Sequence, residues 1–200
     1  MLKNSPEFDR AMAAIDAANA ADPNVVTAGD RKVAKEVLYA EQMTRWLGRL
    51  APEASEALRL AVRAQHIRRW EIPRERYPMD RIGYLKWRTD LKHLHAKLAG
   101  GILEEAGYGA ETIARVQALL KKEQLKQDPE AQTLEDTACL VFLENYFADF
   151  AKGHDPDKVI SILRKTWKKM SPQGQEMALG LKMTEAARAL VEKALAGPES

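Results

Sequence analysis

The 200-residue sequence predicts an all-α protein: one compact helical domain of seven to eight helices over residues 1–196, with 197–200 a frayed tail. Three observations predict it. Apolar residues recur with helical period along nearly the whole chain. No window shows strand alternation bounded by turn signals. Proline, glycine and aspartate gather where the periodic stretches stop, which is where helices end and restart.

Taken in order, Ser5-Pro6-x-Phe8 opens a first helix to about Ala21, and Asp22-Pro23-Asn24 ends it. A second runs from about Asp30 to Leu50, with Val33, Val37, Leu38, Met43, Trp46 and Leu47 on its apolar side. Ala51-Pro52-Glu53 restarts a third, with proline in the first turn, ending near Trp70. Residues 71–79 hold two prolines and read as an ordered loop. A fourth helix covers about 80–106 and stops at Gly107; a fifth covers about 110–127 and stops at Asp128-Pro129. The sixth runs from near Glu130 to about Lys152, the seventh over about 157–170, and an eighth to about Ala196. No repeat and no linker long enough to divide two domains is visible.

Composition bounds the class of function. Apolar residues make up 46% and charged residues 30%, enough for a buried core. The longest apolar run, Ala138 to Leu143, is far too short to span a bilayer. The first twenty residues have no continuous apolar stretch of the kind a signal peptide needs, so a cytoplasmic protein is expected. The single cysteine, Cys139, excludes an intramolecular disulfide and a cysteine-rich zinc site; it reads as a small buried hydrophobe. Formal net charge is +2, which argues against a nucleic-acid coat. That total conceals an asymmetry: residues 63–97 carry +6 and residues 98–157 carry −7.

Candidate chemistry gathers around that asymmetry. Leu58, Val62 and His66 are spaced four apart, so the imidazole falls on the inward stripe of the third helix. His95 lies on the row Tyr84, Arg88, Leu91, His95, Leu98 and Ile102 of the fourth helix, whereas His93 lies on another face. Glu135 and Asp136 sit in the first turns of the sixth helix, just before its most apolar stretch. Each residue also has a plain structural role open to it: core histidines, helix-terminus carboxylates, and for His154 a turn. Together, two inward histidines and an acidic pair are the ingredients of a divalent-metal site. The basic segment is dominated by arginine, whose planar fork suits phosphate. Arg69 and Arg74 flank the His66 helix end most closely, and pairing with the acidic stretch is the alternative for most of these arginines.

At these residues the sequence resembles the domain of unknown function 4202 family. The resemblance rests on Tyr39 to Trp46, Ala64 to Pro73, Tyr77-Pro78, Gly83 to Arg88, His95-Ala96, Gly107-Tyr108, Lys126 to Asp136 and Lys165 to Ser171. The chain is more distantly similar to the HD superfamily of metal-dependent phosphohydrolases. There His66 stands at the dyad position, His95-Ala96 looks like the later histidine helix, and Asp136 looks like the final aspartate. Ile67 stands where the dyad aspartate belongs, and no histidine occupies the early position around Glu41 to Met43. Lys169-Met170-Ser171 has a superficial likeness to a class I aminoacyl-tRNA synthetase loop. Pro172-Gln173 follows it and no βαβ pattern exists to hold such a motif, so that likeness is set aside.

The expectation drawn from both lines is an HD-like phosphohydrolase acting on a small phosphorylated molecule, such as a nucleotide. His66, His95 and Asp136 would hold a divalent metal (Mn, Fe, Co, Zn or Mg) that activates water. Glu135 would be base or orienter, and Arg69, Arg74 and Arg88 would contact the phosphate. The alternative is a non-catalytic RNA- or nucleotide-binding domain that uses the 63–97 segment, where Trp70, Tyr77, Tyr84 and Trp87 are interleaved with arginine.

Overall fold

Ser5 caps the first helix by accepting a hydrogen bond from the Phe8 amide, with Pro6 set where no amide donor is needed. The computed structural model describes residues 4–197; the predicted tail residues 198–200 lie outside the described residues. The helices are α1 (Pro6–Ala20), α2 (Lys35–Leu50), α3 (Glu56–Arg63), α4 (Arg81–Ala106), α5 (Ala110–Lys121), α6 (Pro129–Asn145), α7 (Phe147–Lys152), α8 (Pro156–Trp167), α9 (Pro172–Leu179) and α10 (Glu185–Leu195). The all-α prediction holds, with one addition. Val25–Ala28 (β1) and Arg31–Ala34 (β2) pair as an antiparallel hairpin, Val25 opposite Ala34 and Ala28 opposite Arg31. Gly29 supplies the positive φ (+61°) that the two-residue turn needs.

The hairpin takes the residues predicted to begin the second helix, so α2 starts at Lys35. Its N-cap, Ala34, has no side chain to offer. Buried Asp22 does the work instead: one carboxylate oxygen accepts from the Asn24 amide and the other from the Glu36 amide, at 2.9 and 3.1 Å. The first turn of α2 is thereby anchored to the end of α1.

The chain divides into two compact units, Met1–Leu134 and Glu135–Ser200, the boundary falling within α6. In the first, α4 packs along α5 and α1, while α3 packs against α1, α2 and α5. Phe8, Ile15, Met43, Leu58, Val62, Leu91, Leu103 and Leu119 form its core. In the second, α8 packs on α10, with Leu140, Phe147, Val159 and Leu163 buried. Cys139 is buried as expected. The predicted sixth helix is broken at Tyr146 into α6 and α7. The predicted eighth is broken between Gly180 and Thr184 into α9 and α10, each with its own side-chain cap. Among the described residues no helix is long and apolar enough to cross a membrane.

The largest departure from expectation lies after α3. The helix ends at Arg63, not near Trp70. Tight turns carry the chain through Ile67, whose side chain is fully buried. Arg68 then adopts a left-handed conformation (φ 51°) and a 3₁₀ turn follows over Arg69–Glu71. A non-glycine residue in that region costs on the order of 1 kcal/mol. The reversal turns Arg69 back toward the residues that precede it.

Candidate active site in the first unit

His66 and His95 come together. Their rings lie 6.0 Å apart, centroid to centroid, tilted by 44°. His66 arrives on the turn after α3, pinned by Ile67, and His95 on the inward face of α4, where it is 4% exposed. His93 faces solvent, as its position on another face of α4 predicts. Tyr39, from α2, stacks flat on the His66 ring at 3.9 Å and 9°. On the ring's edge, Nδ1 of His66 lies 3.4 Å from Oε2 of Glu36. Glu36 is buried, and this oxygen has no hydrogen-bond partner among the described residues; neither has Nε2 of His95.

Cations complete the pocket. Gln65, His66, Arg69, Arg88, Lys92, His95 and Lys122 line a small pocket of about 20 Å³ that opens to solvent. Arg88 and His95 are two helical turns apart on α4 and so share a face. Arg69 is half-buried, its guanidinium 4.6 Å above the ring of Trp87. Among the described residues neither Arg69 nor Arg88 donates a side-chain hydrogen bond. Lys122 caps α5 in a left-handed conformation (φ 59°), so left-handed non-glycine residues stand both at the pocket wall and beside it, at Arg68.

These surroundings set the protonation states. Burial pulls the His66 imidazole well below its ordinary value, and Arg69, His95, Arg88 and Lys122 push it further the same way. His95 is lowered to about 3, by burial first and then by Arg69 and Arg88. Both rings are therefore neutral at physiological pH. Glu36 is raised to about 7, chiefly by burial and further by Asp22, with Arg69 and Lys35 opposing. Arg69 is lowered by burial and then by the charge of Arg88.

Of the residues singled out in the sequence, four meet here: His66, His95, Arg69 and Arg88. Arg74 does not line this pocket: its guanidinium donates to the carbonyls of Tyr77, Pro78 and Asp80 and closes the 71–80 loop on itself. Glu135 and Asp136 belong to the second unit. They lie in the second turn of α6 rather than at its start. Both Asp136 oxygens accept from Ser171, one from its amide at 2.9 Å and one from its hydroxyl. Ser171 in turn caps α9 by accepting from the Gly174 amide. Gly174 is needed there, since a Cβ would stand 2.8 Å from the Asp136 carboxyl carbon. Ser171 therefore opens α9 instead of closing the preceding helix. Glu135 lies 3.7 Å from Lys169.

The aromatic residues of the basic segment divide. Tyr84, on the row predicted to face the core, is 44% exposed. The Trp87 indole donates to the Ile72 carbonyl at 2.8 Å, and the Tyr77 hydroxyl donates to Asp90. His154 donates from Nδ1 to the Phe150 carbonyl and stacks on the Phe150 ring, a turn role.

Sequence reasoning missed Glu36, Tyr39 and Lys122. Tyr39 opens the Tyr39–Trp46 stretch that carries the family resemblance, the one signal that could have drawn attention to it.

A family model for a domain of unknown function, DUF4202, matches residues 9–191. The protein belongs to this family. No curated protein and no solved structure matches the chain. The DUF4202 match spans the whole pocket, from Glu36 through Lys122.

Proposed function

We propose that this DUF4202 protein is a phosphohydrolase acting on a small phosphorylated molecule, whose phosphate is bound between Arg69 and Arg88. The observation that carries this reading is the meeting, in one pocket, of two guanidiniums that donate no hydrogen bond to the described residues with two neutral imidazoles. A phosphate monoester anion meets both needs. It accepts from the arginine forks and offsets the repulsion that lowers Arg69. A neutral imidazole keeps the lone pair that base or nucleophilic chemistry at phosphorus requires, which an imidazolium lacks. The likeness to HD phosphohydrolases favours the same substrate class.

A divalent ion fits this donor set less well than an anion. Among the described residues no three His, Cys, Asp or Glu side chains are grouped to hold one. The charges of Arg69 and Arg88 bear on both imidazoles and oppose a second cation.

Calorimetric titration with inorganic phosphate, alongside phosphate release from a panel of sugar phosphates and nucleotides, tests the reading. Binding and release that are lost in Arg69→Ala and Arg88→Ala are expected. No phosphate binding together with a blank panel overturns it. Stoichiometric Mn, Fe, Co, Zn or Mg that disappears in His66→Ala, with release restored only by that ion, would put metal chemistry in its place.

A further inference from the structure

Resting on that reading, we propose that His66 is the nucleophile and carries the phosphoryl group on Nε2 as a covalent intermediate. The ring is held on two sides. Tyr39 lies flat against its face at 3.9 Å, and Nδ1 is turned to Glu36 at 3.4 Å. The two nitrogens of an imidazole are distinct, and the partner of one decides what the other can do. With Nδ1–H toward Glu36, the Nε2 lone pair is left for the pocket that His66 lines with Arg69, Arg88 and His95. Stacking leaves the ring its edge as the route to substrate, so it approaches phosphorus through nitrogen.

In the first step Nε2 attacks the phosphorus of a monoanionic phosphate ester. The N–P bond forms as the P–O bond to the alcohol breaks. The leaving oxygen keeps that electron pair and takes the ester's own proton, so neutral alcohol departs. The phosphorylated ring is now positive, and the carboxylate of Glu36 at its Nδ1–H offsets that charge. This gives a reason for a carboxylate in a buried place that otherwise raises its energy. In the second step water attacks phosphorus, the N–P electron pair returns to Nε2, and dihydrogen phosphate leaves with both hydrogens of the water. Arg69 and Arg88 hold the phosphoryl oxygens throughout.

The experiment uses the full chain and radiolabelled acetyl phosphate, quenched into alkali within the first turnover. Phosphohistidine survives alkali and is lost in acid, so an alkali-stable, acid-labile label is expected. It should be absent from His66→Ala and from His66→Gln, with circular dichroism confirming that the variants are folded. Orthovanadate, which mimics the phosphoryl group in transfer, gives a second readout: its vanadium resonance should shift on binding the native chain and not on binding His66→Gln. Protein that binds inorganic phosphate and releases phosphate from esters without this label overturns the nucleophile and leaves the phosphohydrolase reading standing. A label that remains in His66→Gln also overturns it. Failure to bind inorganic phosphate, with no release, overturns the reading beneath it.

Discussion

Arg69 and Arg115 belong to the same compact unit and meet opposite surroundings. Arg115 donates to Asp128 at 2.9 Å and to Glu130 at 3.1 Å. Hydrogen bonding to Asp128 first, and to Glu130, holds its guanidinium above the ordinary value, and Asp128 is lowered in return. Arg69 has an indole beneath it, Arg88 and two imidazoles around it, and no carboxylate in hydrogen-bond contact among the described residues. One arginine ties α5 to the start of α6. The other lines the pocket that we propose takes a phosphate. Arg115 and its partners thus pair within the −7 segment, while Arg69 and Arg88 of the +6 segment line the pocket without such partners among the described residues.

The largest expected effect concerns the carboxylate that the pocket does keep. Folded protein holds the Glu36 proton to about pH 7, whereas a free glutamate loses it near 4.5, so stability falls as pH rises between the two. Glu36→Gln should stabilise the protein at pH 8 by ~3 kcal/mol, at ~1.4 kcal/mol per pH unit, and the gain should vanish below pH 4.5. Denaturant unfolding at both pH values measures it. His95 slopes the other way: its contribution is whole above 6.5 and is lost as pH falls toward about 3. His95→Gln should therefore flatten the acid limb. A Glu36→Gln variant that is no more stable at pH 8 would make Glu36 as structural as the partners of Arg115.

Next in size, Arg69→Ala should weaken inorganic phosphate binding about 100-fold, or ~2.7 kcal/mol, while Arg115→Ala leaves it within about twofold. Equal losses in calorimetry would erase the contrast between the two arginines. Asp136→Ala removes the acceptor of the Ser171 amide and hydroxyl and should cost about 2 kcal/mol of stability. Hydrogen exchange in α9 should report the loss first. The smallest effect is that of Arg115→Ala on stability, about 1 kcal/mol at low salt and less at high salt, because its side chain is 35% exposed.

The all-α class and the inward placement of His95 were legible because helical period records which face is buried. His66 was read as inward for a reason that did not hold: the helix ends at Arg63. The turn that replaces it depends on a left-handed arginine, and nothing in the identity of Arg68 announces that. The hairpin had a cue in Gly29-Asp30 after Val25-Val26-Thr27-Ala28, too short an alternation to outweigh the helical pattern around it. Arg74 and Arg88 look alike in sequence; three backbone carbonyls in a loop separate their roles. Glu36 was invisible because a single glutamate in a first turn is ordinary, and its burial comes from the anchoring by Asp22.

Trp87 sits beneath Arg69 at 4.6 Å, with Arg74 5.9 Å from its centroid. A cation over an indole alters its fluorescence, and an anion that draws Arg69 toward Arg88 changes that cation's field. The chain has four tryptophans, so substituting Trp46, Trp70 and Trp167 by phenylalanine would leave one emitter against the pocket. Its emission would then follow ligand arrival in real time, without a label, and order the binding step relative to any chemistry that follows.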